Sequence, residues 1–150
     1  MTTSRLVSIV ALMSTLSFAS PIRNETELIE RQASGLNCGG QQYTQQQAQD
    51  AWGSGINRRQ TGNYVYYGST PYPEEFRNGQ AGNPEVDPSP CAGLQLYEFP
   101  ILAGGADYNG GNPGPDRVVF ADSNTVSGAY VQCFLMTHTG AQGNLFVKCS

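Results

Sequence analysis

Leu96-Tyr97-Glu98-Phe99-Pro100-Ile101 is an alternating run in which large apolar side chains occupy every second position around one carboxylate. Alternation of period two is the signature of a strand with one buried face. The spacing therefore predicts Tyr97, Phe99 and Ile101 against a core, with Glu98 facing out. Two further runs repeat the design. In Pro115-Asp116-Arg117-Val118-Val119-Phe120 the apolar Val118 and Phe120 leave Arg117 on the open side, and in Leu135-Met136-Thr137-His138-Thr139-Gly140 the only histidine closes a strand. On adjacent strands these three would bring together a carboxylate to take a proton, a cation to hold an anion and an imidazole to give a proton. That set suits phosphoryl transfer.

Outward from these runs, strands are expected at 63–67, 72–76, 117–121, 130–138 and 145–148, besides 96–102. Gly79 to Pro90 reads as an ordered loop, and the glycines between Ala103 and Pro115 exclude regular structure there. Only one helix is expected. Thr44-Gln45-Gln46-Gln47 is a capping box, and Ala48, Trp52 and Ile56 then form an apolar stripe as far as about Arg59, with Gly62 as the stop. Trp52 belongs to that core-facing stripe. One helix before a run of strands makes the fold class α+β, a helix packed on an antiparallel sheet, with a cleft on the sheet's other face.

The beginning of the chain has the three-part pattern of a secretory signal over residues 1–19: Arg5, the apolar Leu6 to Leu16, then Ser17-Phe18-Ala19. The apolar run falls short of the roughly 20 residues a membrane span needs. Residues 20–31, ending in Glu30-Arg31, read as a pro-segment, with a glycosylation sequon at Asn24-Glu25-Thr26. Residues 32–150 are the size of one domain. The formal net charge is −4, so non-specific nucleic-acid binding through a basic surface is excluded. Four cysteines, Cys38, Cys91, Cys133 and Cys149, in a secreted domain imply two disulfides with three connectivities open. They are too widely spaced, with a single histidine, for a zinc site, so no metal or cofactor is expected.

Tyr97-Glu98-Phe99-Pro100, Asn112-Pro113-Gly114-Pro115-Asp116-Arg117-Val118-Val119 and Thr137-His138-Thr139-Gly140-Ala141 through Asn144-Leu145-Phe146 to Cys149 resemble the small fungal extracellular ribonucleases. These are the guanine- and purine-preferring enzymes related to the ribotoxins, and the resemblance runs from about Cys38 to Ser150. It implies a secreted, monomeric endoribonuclease that cuts single-stranded RNA by transesterification to a 2′,3′-cyclic phosphate and then hydrolysis. DNA, lacking the 2′-hydroxyl nucleophile, would not be a substrate. The resemblance makes Glu98 the general base, His138 the general acid and Arg117 the stabiliser of phosphoryl charge. Tyr72 matches a phosphate-contacting tyrosine, and Phe146 an aromatic beside the reacting phosphate. It also supports the Cys91–Cys133 pairing, with Cys38–Cys149 left to join the ends.

Two departures matter. Glu74 stands where the family has a second histidine, which sets two carboxylates, Glu74 and Glu98, near one another, to titrate in two coupled steps with one raised. Activity is then expected to be weak or to peak at acidic pH, with Arg77 or Arg117 offsetting the charge. The base-reading stretch is Arg77-Asn78-Gly79-Gln80, from which Asn78 and Gln80, with Asn144, are the candidate substrate contacts. The turn at 123–130 is longer than the family's. A rival reading from another class is a secreted ribonuclease-like effector that binds a host protein or RNA without cutting it; a dedicated protein inhibitor is a further expected class of partner. The acidic charge and short loops argue against ribotoxin-like action on ribosomes.

Overall fold

In the computed structural model, which describes residues 36–79, 86–123 and 129–150, the helix α1 spans Gln45–Thr61. The signal and pro-segment, Gln80 and most of the 123–130 turn lie outside the described residues. Helix α1 begins as its sequence predicts. The Thr44 hydroxyl accepts from the Gln47 N–H at 3.1 Å, and the Gln47 side chain accepts from the Thr44 N–H at 2.8 Å. These two bonds satisfy donors that would otherwise be orphaned. Gly62 ends the helix in the left-handed region, at φ 71°. The buried face is Ala48, Trp52 and Gly55, while Ile56 is only half-buried. Gly55 is a packing device: a Cβ there would meet Phe99 and Phe120 at 2.9 Å. Its absence lets the helix backbone settle on the sheet, which offsets the ~1 kcal/mol helix-propensity cost of glycine against alanine.

The main sheet has five antiparallel strands in the order β5-β6-β7-β8-β9. They are β5 (Glu74–Glu75), β6 (Gln95–Pro100), β7 (Asp116–Asp122), β8 (Tyr130–Thr137) and β9 (Val147–Lys148). Two hairpins flank it, β1 (Leu36–Cys38) with β2 (Gln41–Tyr43), and β3 (Val65–Tyr67) with β4 (Thr70–Tyr72). The first hairpin is a feature the sequence pattern does not announce, because three-residue strands are too short to show alternation. The strand expected over 72–76 is divided into β4 and β5 at Pro73, which has no N–H to give a ladder.

On the helix side of the sheet, Phe99, Val118, Phe120 and Leu135 pack with Trp52, Tyr43, Tyr72 and Tyr108. Tyr97 is half-buried there, stacked on Phe120, with the Arg59 guanidinium 4.5 Å from its ring centre. The Trp52 indole N–H donates to the Val119 carbonyl at 2.8 Å, where the β7–β8 register shifts between Val119 and Phe120. The other face is not open, contrary to the alternation argument. It carries its own cluster of Val86, Leu96, Val119, Ala121, Phe134 and Met136, edged by Phe76 and Phe146. Glu98 and Arg117 therefore do not face solvent: they are 6 % and 4 % exposed. Alternation assigns a side chain to a face; loops from elsewhere in the chain decide whether that face is wet.

The disulfides are Cys38–Cys149 and Cys91–Cys133, closing separations of 111 and 42 residues. On the chain-entropy model each contributes about 4 to 5 kcal/mol. The first fastens β1 to the chain's end, where Asn37 and Ser150 also exchange backbone bonds of 2.7 and 3.0 Å. The second ties the segment before β6 to β8, and so holds Glu98's strand in the sheet that ends at His138.

Candidate active site

Arg117 is the hub of the second face. Its Nε donates to Glu98 Oε1 at 3.2 Å, and its Nη2 donates to the Tyr72 hydroxyl at 3.2 Å. Its Nη1 donates to the carbonyls of Gly114, Asp116 and Pro113 at 2.8, 2.9 and 3.3 Å. A guanidinium offers five N–H groups, so among the described residues one hydrogen on Nη2 stays uncommitted and the group is rigidly oriented. The β6–β7 register explains the diagonal pairing. Glu98 lies opposite Val119, and Arg117 is two residues earlier on the same face.

Burial is the main cause that pushes the Glu98 carboxyl up, to about 7 from the usual 4.5; Arg117 pulls against it and Glu74 adds to it. Glu74 is the direct cross-strand partner of Glu98 in the β5–β6 register. Its own carboxyl is raised, again chiefly by burial, with Arg117 and Arg77 opposing. Both carboxyls are raised where one was expected, and desolvation rather than mutual repulsion is the main cause. Of the two arginines considered, Arg117 engages Glu98. Arg77 pairs with the exposed Glu75 at 3.4 Å.

His138 follows β8 directly, its N–H donating to the Pro115 carbonyl at 3.0 Å. Its Nδ1 lies 2.6 Å from the Leu145 carbonyl. A carbonyl can only accept, so Nδ1 carries the hydrogen and Nε2 is the titrating nitrogen. Burial lowers the imidazole's pKa below 6.5, Arg117 lowers it further, and the Leu145 bond partly opposes both. The ring stacks on Phe146, centroids 3.7 Å apart and planes at 27°. Phe146 thus fixes the imidazole plane.

Glu74, Glu98, Arg117, His138, Tyr72 and Phe146 all line one cleft of about 690 Å³, so the sequence candidates meet in a single place. Asn144 lines it too and is exposed. Asn78 also borders it, but both ends of its amide are engaged by the backbone of Val86, at 2.6 and 2.8 Å. Its side chain ties Asn78 to Val86 and is not left free for a base. Gln80 is outside the described residues. The sequence pattern does not single out Phe76, which meets Phe146 edge-on at 5.9 Å, or Tyr67, which also lines the cleft. Counting in twos from Glu74 would have put Phe76 on its face. Nothing in the pattern marks Tyr67. Among the described residues no group of His, Cys, Asp or Glu side chains is arranged to hold a metal ion.

The arrangement offers a proton acceptor of raised basicity, a preorganised cation between it and a phenol, and an imidazole with one free nitrogen. Those are the elements for moving a proton off one oxygen and onto another across a charged centre.

A family model described as ribonuclease matches residues 31–150. The chain is 42 % identical over 113 residues to guanyl-specific ribonuclease C2 of Aspergillus clavatus, covering 75 % of each chain. It is 35 % identical over 147 residues to guanyl-specific ribonuclease T1 of Aspergillus oryzae, covering 98 % of each. The solution structure of a deletion mutant of the cytotoxic ribonuclease α-sarcin superposes with a TM-score of 0.51 at 24 % identity, covering 77 % of this chain and 98 % of that one. At that identity the likeness speaks to fold alone.

Proposed function

The chain belongs to the ribonuclease family and is an endoribonuclease that cuts RNA through a 2′,3′-cyclic phosphate, and from that premise we propose how its residues divide the work. The observation that carries the assignment is the shared cleft in which Arg117 joins Glu98 to Tyr72 while His138 presents Nε2. Glu98, held at Oε1 by Arg117, takes the 2′-hydroxyl proton on Oε2. The remaining Nη2 hydrogen of Arg117 and the Tyr72 hydroxyl, which accepts from Arg117 and so keeps its own proton to give, stabilise the charge growing on the phosphoryl oxygens. His138 protonates the departing 5′ oxygen from Nε2. In the second half-reaction the two exchange roles, and water opens the cyclic phosphate.

We assign the substrate as single-stranded RNA and the preferred base as guanine, a preference carried by the names of the two relatives above. Asn78 and Val86, bonded to each other, border the cleft where the base would sit, with the Phe76 ring lining it as well. Asn144 and Gln80 remain candidate contacts. The working form is a monomer of residues 32–150, outside the cell after loss of the leader. Two disulfides suit an oxidising compartment. The rival reading of a non-cleaving effector is not favoured: Glu98, Arg117 and His138 are all kept, and each is bonded for the chemistry.

The test is cleavage of a defined single-stranded RNA by the purified protein between pH 4 and 8, with and without a chelator. Cyclic ends after guanine, lost in Glu98→Gln and His138→Ala with folding intact, are expected. Cleavage that persists in His138→Ala, or none by the natural protein, would overturn this division of roles.

A further inference from the structure

The β3–β4 hairpin carries two of the large apolar side chains left most exposed among the described residues, Tyr66 at 57 % and Tyr67 at 52 %. They are not equivalent. Neighbours on a strand point to opposite faces, and only Tyr67, with its cross-strand partner Thr70, borders the catalytic cleft. An exposed ring on the wall of an RNA-cutting cleft is a surface on which a base can stack.

The sheet register shows which base. Strand β5 runs antiparallel to β6, with Glu74 opposite Glu98 and Glu75 opposite Tyr97. Phe76 and the Asn78–Val86 clamp therefore lie toward the Gln95 end of β6. Thr70 and the hairpin precede Glu74 and lie toward the Pro100 end. His138 belongs to that second end, since its N–H is bonded to Pro115 just before β7, and Arg117 at the start of β7 lies opposite Pro100. The acid for the leaving oxygen and the Tyr67 ring thus share one end of the cleft. Phe76 and the bonded Asn78 and Val86 occupy the other.

We propose that Tyr67 is a stacking platform for the base of the leaving nucleoside, the one whose 5′ oxygen is released, and so a specificity residue for the nucleotide downstream of the cut. This rests on the ribonuclease reading of the cleft. Stacking favours larger ring systems, so the platform prefers a downstream purine over a pyrimidine. It also strengthens the hold on the dinucleotide relative to the upstream nucleotide alone. Tyr66, facing away, takes no part.

The experiment compares the natural protein with Tyr67→Ala, Tyr67→Phe and Tyr66→Ala on guanylyl dinucleotides carrying adenosine or cytidine downstream. The methyl ester of guanosine 3′-phosphate serves as the substrate without a leaving base. Stacking on one aromatic ring is worth roughly fivefold to a hundredfold per base, and a half-exposed ring belongs at the lower end. Tyr67→Ala is expected to lose about fivefold to tenfold in kcat/KM on the dinucleotides, more with adenosine than cytidine, and nothing on the methyl ester. Tyr67→Phe and Tyr66→Ala keep the natural values. Equal losses on the methyl ester and the dinucleotides, or no loss on either, would overturn the proposal. Binding of the uncleavable 2′-deoxy dinucleotide, measured by calorimetry against guanosine 3′-phosphate, separates the two readings. If the natural protein cuts nothing but Tyr67→Ala still weakens the dinucleotide selectively, the catalytic reading fails and the platform stands. Equal weakening of both ligands sinks the platform alone.

Discussion

Replacing Glu98 by glutamine should make the protein more stable above neutral pH while removing its activity. The Glu98 carboxyl is raised to about 7 from 4.5 because it is 6 % exposed beside Glu74, despite its bond to Arg117. Between those two values the folded state holds a proton that the unfolded chain has released. Stability then falls as pH rises through this window. At 1.36 kcal/mol per pKa unit, the cost of ionising Glu98 in place is about 3 kcal/mol, fully felt above pH 7. Glutamine keeps the shape and an oxygen to accept from Arg117, without the charge. The difference between variant and natural protein should therefore be small near pH 4 and grow to about 3 kcal/mol by pH 8, or roughly 10 °C in melting temperature for a domain of this size. Urea unfolding at pH 4, 5, 6, 7 and 8, with disulfides intact, reads this directly. An offset that stays constant with pH, or a natural protein that gains on the variant as pH rises, would show that Glu98 is not a strained base. The cost of the charge is what gives the base its strength, an instance of function held at the expense of stability.

The rate–pH profile should be a bell whose acid limb reports His138, below 6.5, and whose basic limb reports Glu98, near 7. Removing the neighbouring charge in Glu74→Gln should draw the basic limb to lower pH and raise the maximum, since more Glu98 is ionised while His138 is still protonated; a limb that stays put or moves up refutes the coupling. Arg117→Lys replaces a forked donor with a point charge and should lower kcat about 100- to 1000-fold with little change in KM, which steady-state kinetics on a dinucleotide would check. Replacing Cys91 and Cys133 together by alanine opens a 42-residue separation and should cost about 4 kcal/mol in urea unfolding; a loss under 1 kcal/mol would mean the crosslink adds little to a sheet already held by its own pairing.

The sequence by itself settled what depends on local pattern. Thr44 and Gln47 specify a helix start whichever sheet the helix meets, because the capping bonds are made within four residues. Alternation around Glu98 and Arg117 put them on one face, opposite Phe99 and Val118, because strand geometry allows nothing else. The family motifs named the chemistry. Tertiary structure decided the rest. Glu98 and Arg117 are buried where Tyr72, Pro113, Gly114 and Phe146, from other parts of the chain, close on a face that alternation alone leaves open. Asn78 is tied to Val86 by a loop closure invisible in spacing. Tyr67 ends a strand legible over 63–67, but only the placement of its hairpin brings it to the cleft. Desolvation, which sets the basicity of Glu98, belongs to no residue taken alone; it comes from the neighbours that folding brings to it.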